Sequence, residues 1–238
     1  MSIIIGSARA DENKKYSGGK KGDQKQTSVN DFSGEVSMQP FYNHKKGWYV
    51  LRPKYESVAD QIAFKMKQAC NNPNIGYSQS DRTSIIKNGI TTNVPTNCDC
   101  SSLVRECIRE ATGKDVGNFT TSDEAKVLEK SGIFNTRIAY KQGMNLYSGD
   151  VLVTKEKGHT AIVTDGVARE TVKKQYYPKP VNIQSSIVDA LRSVGEKDTT
   201  FNHRKEIAKA NGINDYAGSA TQNLILVNLL NEGKLIKP

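Results

Sequence analysis

Two short segments of this 238-residue chain hold side chains able to do covalent chemistry: Asp99-Cys100-Ser101-Ser102-Leu103 and Gly158-His159-Thr160-Ala161-Ile162-Val163. A thiol and an imidazole are the minimal pair for attack on an amide carbonyl, one as nucleophile and the other as base. Cys100 opens a stretch with apolar residues at Leu103, Val104, Cys107, Ile108 and Ala111, the spacing of an amphipathic helix, and that pattern stops at Gly113. The sulfur is therefore expected in the first helical turn, where unpaired backbone N–H groups and the helix dipole favour thiolate. Of the three histidines, His44 sits among lysines and His203 lies near the C-terminus, so both are expected at the surface and His159 is left as the base. Cys70, Cys98 and Cys107 read as packing residues.

The elements that must position this pair follow from periodicity. Residues 1–30 are rich in Gly, Lys, Ser, Asp and Asn and read as a long loop. Val36 and Met38 alternate with Glu35, Ser37 and Gln39 as in a strand; Trp48-Tyr49-Val50-Leu51 is a second, and the two are expected to pair as a hairpin. Val58, Ile62, Met66 and Cys70 predict a helix over 55–70. Thr121 and Glu124 stand at capping-box spacing, predicting a helix that runs to Gly132. Strands are expected over 150–154 and 159–164, the turn between them presenting His159. After Gly166 the composition turns polar, and Tyr176-Tyr177-Pro178-Lys179-Pro180 resists helix and sheet. Three helical patterns follow, bounded by Gly195, Gly212 and Gly233. The expected class is α+β, with a catalytic domain at 1–168, a linker at 169–184 and a small three-helix domain at 185–238.

Thirty-four basic against 25 acidic residues give a net charge of +9 and an isoelectric point near 9.3, which predicts attraction to polyanions. The basic residues are scattered, aromatics are 7%, and no motif reads base edges, so nucleic acid is not the expected partner. An anionic cell envelope fits the same charge. The Met1–Ile5 start is too short and wrongly flanked for a signal peptide, and no stretch spans a membrane, so synthesis in a cytoplasm without Sec targeting is expected. Cys98 and Cys100 are too close for an unstrained disulfide, and no C-x-x-C pair suggests zinc. The reading calls for no metal and no cofactor.

The order of Tyr77, Asp99-Cys100-Ser101-Ser102-Leu103-Val104, Gly149-Asp150-Val151-Leu152 and Gly158-His159-Thr160-Ala161-Ile162-Val163 resembles the NlpC/P60-type cysteine peptidases, in particular the peptidoglycan amidohydrolases of phage. The resemblance spans roughly residues 55–166. The start of the chain, with Gly22-Asp23-Gln24 and Trp48-Tyr49-Val50-Leu51-Arg52-Pro53, is similar to the leader of lysins acting on Gram-positive hosts, and the C-terminal stretch is similar to small wall-binding modules. The resemblance implies a papain-like domain with helices packed on an antiparallel sheet, and hydrolysis either within the stem peptide or at the N-acetylmuramoyl-L-alanine amide. It also implies peptidoglycan and its associated polymers as partners of what is expected to be a monomer. The alternative is a non-hydrolytic wall-binding protein with a decayed thiol site.

That family uses a third polar residue, normally on the strand after the histidine, to orient the imidazole. Here the chain runs from one strand into Asp165-Gly166 and the linker, so the N-terminal hairpin is expected to complete the sheet. Glu35 is then the first candidate to hold His159, Glu170 the second, with Gln39, Asp23 and Asp165 behind them. The resemblance also places Tyr77 beside the thiol as a donor to the sulfur or the developing oxyanion, the Cys100 backbone N–H being the other donor. Substrate contact is expected from Asp99, Ser101, Gln39 and Trp48.

Overall fold

The computed structural model describes residues 2–169, 175–213 and 215–238, and the chain falls into two compact units, 1–169 and 170–238. The first unit is α+β. Its strands β1 (Ile4–Ala8), β2 (Val36–Pro40), β3 (Trp48–Leu51), β6 (Ile138–Ala139), β7 (Val151–Thr154) and β8 (Thr160–Asp165) form one antiparallel sheet in the order β2-β1-β8-β7-β3-β6. A separate parallel pair joins β4 (Ile75–Tyr77) to β5 (Thr96–Cys98). The helices are α1 (Glu56–Cys70), α2 (Ser84–Asn88), α3 (Cys100–Thr112) and α4 (Glu124–Lys130).

Successive residues on a strand face opposite ways, and the central strands bury both faces, so β7 and β8 read as unbroken apolar runs rather than alternating ones. Val151, Val153 and Ile162 join the main core beneath α1 and α3, where Ile62, Met66, Leu103 and Cys107 pack. Leu152, Ala161 and Val163 face the other side, with Ile5, Trp48, Val50 and Leu146. Gly149 allows the turn into β7 to approach α1: its φ is 86°, and a Cβ there would lie 2.2 Å from the Ala59 carbonyl oxygen.

The sheet departs from the expected hairpin. β2 pairs with β1, Val36 opposite Ala8 and Met38 opposite Gly6, whereas β3 pairs with β7 and β6. The N-terminal stretch is thus not wholly loop. Ile4–Ala8 forms an inner strand and supplies the missing neighbour of β8, with Ile5 opposite Val163 and Gly6 opposite Ile162. Completion of the sheet from the start of the chain holds, but through β1 with β2 outside it. Five residues of short apolar strand next to a Gly/Lys-rich loop gave too little alternation to announce this.

The second unit contains α5 (Ile187–Ser193), α6 (Phe201–Ala210) and α7 (Ala220–Asn231), each N-capped by a hydroxyl: Ser186, Thr200 and Ser219. Ile187, Leu191, Ile207, Leu226, Leu230 and Leu235 close a small core. Tyr177, within the Pro-flanked stretch, is buried in that core, and its backbone N–H donates to the Leu235 carbonyl. His203 is not free surface: its Nε2 lies 3.4 Å from both the Tyr177 hydroxyl and the Glu196 carboxylate.

Candidate active site

β5 runs straight into α3 through Asp99, which caps the helix. Its carboxylate accepts the Ser102 N–H at 2.7 Å while the Ser102 hydroxyl accepts the Asp99 N–H, a reciprocal arrangement. Caps of this kind stabilise a helix by about 1 kcal/mol. Gly113, with φ 70°, ends the helix. Cys100 is consequently fixed at the first helical position. The backbone N–H groups of Ser101 and of Thr160, at the start of β8, favour the thiolate, against the effect of burial.

His159 immediately precedes β8 and is clamped by one side chain: Thr154 Oγ1 accepts the His159 N–H at 2.9 Å, and the Thr154 N–H donates to the His159 carbonyl. The imidazole packs against Trp48, ring centroids 6.3 Å apart. Trp48 itself is 1% exposed and donates its indole N–H to the Tyr42 carbonyl, so it supports the histidine from below instead of meeting substrate as expected.

Cys100 and His159 line one cleft of about 500 Å³. Tyr77, Tyr16 and Gln79 form one side of it, and Tyr42, His44, Lys45, Lys46 and Gly158 another, with Arg9 also lining it. Tyr77 reaches the site because β4 pairs with β5 in register, Tyr77 beside Cys98. Gln79 Nε2 lies 3.2 Å from its hydroxyl, and burial raises the phenol, which therefore stays a hydroxyl donor.

The protonation states differ from those expected of a helix N-terminus. Burial, reinforced by the carboxylate of Asp99, pushes the Cys100 thiol up to about 12. Burial also lowers His159 to about 4, with His44 and Arg9 adding like charge. At neutral pH the resting pair is a thiol and a neutral imidazole. Desolvation outweighs the helix dipole here.

Among the described residues, the four candidates for orienting His159 are engaged elsewhere. Glu35 is fully buried; its two oxygens accept the backbone N–H groups of Tyr77, at 2.8 Å, and Gln24, at 3.1 Å. It pins the N-terminal loop and β4, and burial lifts its carboxyl to about 7. Gln39 Oε1 accepts from Arg9, Asp23 from the N–H groups of Lys25, Gln26 and Val36, and Asp165 from Lys67. Glu170 lies outside the described residues. Asp99 and Ser101, expected on substrate, are both buried and both bonded by Arg82.

Three groups near the thiol were not anticipated. His44 is half-buried in the cleft, its ring 5.3 Å from Trp48, because the β2–β3 loop folds over the site and not into solvent. Arg9 follows β1, an element missed as a strand. Thr121 and Glu124 were expected to form a capping box, but Asp123 is the N-cap of α4, without a side-chain bond to the helix, and Glu124 turns inward, fully buried, 2.7 Å from Thr160 Oγ1. Only the Gly/Lys-rich character of the first 30 residues hinted that loops would border the site.

A family model described as "Endolysin-like domain" matches residues 5–170, the whole sheet and both halves of the cleft. No curated protein matches the chain, and no solved structure matches it. Most of the sequence being accounted for by that one domain, the chain belongs to the endolysin-like family, and lysis of the cell wall is the function that membership brings to it.

Proposed function

We propose that the chain hydrolyses an amide of Gram-positive peptidoglycan through Cys100 and His159, as the NlpC/P60-type resemblance implies. The observation that carries this is the convergence of the Cys100 thiol and the His159 imidazole on a single open cleft, with the sulfur at a helix start.

Neutral His159 takes the thiol proton as the sulfur attacks the scissile carbonyl, forming a C–S bond and a tetrahedral oxyanion. The outward Cys100 N–H and the Tyr77 hydroxyl stabilise that oxyanion. Protonated His159 then gives its proton to the leaving amine as the C–N bond breaks. Water attacks the thioester with His159 again as base, releasing the acid and restoring the thiol. Packing on Trp48 supports the imidazole, and the bonds to Thr154 fix the backbone that carries it. The second unit serves as a wall-binding module.

Cys100→Ala is expected to lower hydrolysis of purified walls by about a thousandfold or more, with thermal unfolding and wall binding retained. Mass spectrometry of the released fragments identifies the bond. A variant that still lyses at the parental rate ends the thiol mechanism, and the non-hydrolytic wall-binding reading then stands.

A further inference from the structure

The cleft beside Cys100 contributes three basic side chains, Arg9, Lys45 and Lys46, and no carboxylate among its lining residues. The acidic groups nearest the thiol, Asp99 and Glu124, are buried beneath it, bonded to Arg82 and Thr160 respectively. Arg9 is the most built of the three cations. Nη1 donates to Gln39 Oε1 at 2.8 Å, and Nη2 to the Phe32 carbonyl at 2.9 Å, the Gly34 carbonyl at 3.3 Å and the Ser37 hydroxyl. All four acceptors are uncharged, so they fix the guanidinium without neutralising it. The Nε proton and one Nη1 proton are left over, on separate edges of the guanidinium, and each can donate one charge-assisted hydrogen bond to a carboxylate oxygen. Burial already disfavours the charge on Arg9, so an anion delivered by the ligand relieves a cost the free protein carries.

Resting on the amide-hydrolase reading, we infer that the cleft selects stem peptides carrying a free carboxylate next to the scissile amide, and that Arg9, positioned by Gln39 and the β2 turn, is the group that reads it. Amidation of that carboxylate removes the charge and places an NH₂ donor against the guanidinium. Lys45 and Lys46 at the rim draw the anionic chain in without fixing it, a contribution that salt screens.

The test uses the full chain and one batch of soluble muropeptides, half left with free carboxylates and half amidated with carbodiimide and ammonium. The parental protein is expected to cleave the free-carboxylate form with kcat/KM about tenfold higher, the size of one charged hydrogen-bonded contact. Arg9→Gln is expected to bring that ratio close to one, and Arg9→Lys, which keeps the charge but not the fixed planar donors, to leave an intermediate ratio. Should Arg9→Gln not fold, the parental ratio and the Arg9→Lys ratio still decide. Equal rates of the parental protein on the two forms, or an unchanged ratio in the variants, overturn the inference and leave amide hydrolysis standing. No cleavage of either form overturns amide hydrolysis and this inference together.

Discussion

At the residue scale the site is built for proton transfer during attack, not for a standing ion pair. A thiol at about 12 beside an imidazole at about 4 differs by many orders of magnitude in populations from the thiolate–imidazolium pair of a pre-ionised cysteine enzyme. This has a direct readout. The rate of Cys100 alkylation by iodoacetamide is expected to climb about tenfold per pH unit from pH 7 to 9. A pre-ionised thiolate would give a plateau across that range instead. The acidic limb of kcat/KM belongs to His159 and is expected near pH 4, well below the ordinary histidine value of 6.5. A plateau in alkylation would show that the thiol is ionised by its neighbours, and a limb at 6.5 that burial does not depress His159.

Glu124 carries the second argument at this scale. Thr160 Oγ1 lies 2.7 Å from Glu124 Oε1 and 2.9 Å from the Leu152 carbonyl, and one hydroxyl proton cannot serve both. Burial holds Glu124 well above the ordinary carboxyl value, so the acid's own proton serves the first bond and the threonine proton the second. Its other oxygen, Oε2, is buried without a partner, which suits a neutral group better than a charged one. A carboxyl kept protonated by folding contributes most below its unfolded value of 4.5, and that contribution is lost as pH rises toward its folded value. Urea unfolding at pH 5 and pH 8 is therefore expected to show parental stability falling relative to Glu124→Gln as pH rises. A gap independent of pH, or one moving the other way, contradicts a buried neutral acid.

At the scale of elements, what was legible was what repeats. The 3.6-residue spacing of Val58, Ile62 and Met66 and of Leu103, Val104 and Cys107 marked α1 and α3 to within a residue, because each buries one continuous stripe. The Gly-His strand was legible from its apolar run and its turn. Pairing was not. Nothing local in Val36–Pro40 says that its partner is Ile4–Ala8 and not Trp48–Leu51, since register is decided by which faces must be buried together. Two misreadings at the site follow from that one. With β1 unrecognised, Arg9 had no place and Glu35 was left to orient His159, whereas the pairing of β1 with β2 turns Glu35 toward Tyr77 and Gln24. Glu35→Ala is accordingly expected to act through the loop. It strands two buried N–H donors at about 1–3 kcal/mol each, so a fall in thermal stability should accompany any loss of activity. Loss of activity at unchanged stability would return Glu35 to a role at the imidazole.

At the scale of the whole molecule, two units with separate cores follow one another along the chain. A weak wall-binding module raises the effective concentration of the hydrolase at an insoluble polymer without any new contact in the cleft, a gain that vanishes for soluble fragments. Where the chain is cut matters for testing this. A cut after Pro180 would leave Tyr177 without Leu235 and the rest of its core, exposing a large aromatic that intact protein buries. A cut after Arg169 keeps all but the last matched residue of the endolysin-like domain and every residue lining the cleft. Residues 1–169 alone are expected to cleave soluble muropeptides at a rate within about twofold of the full chain. Their lysis of intact cells is expected to fall by roughly tenfold or more, and addition of residues 170–238 as a separate polypeptide should not restore it, because the gain comes from tethering. Parallel loss on both substrates would mean that the second unit supports the fold or the cleft of the first, and restoration by the separate piece would mean that it acts on the wall in its own right.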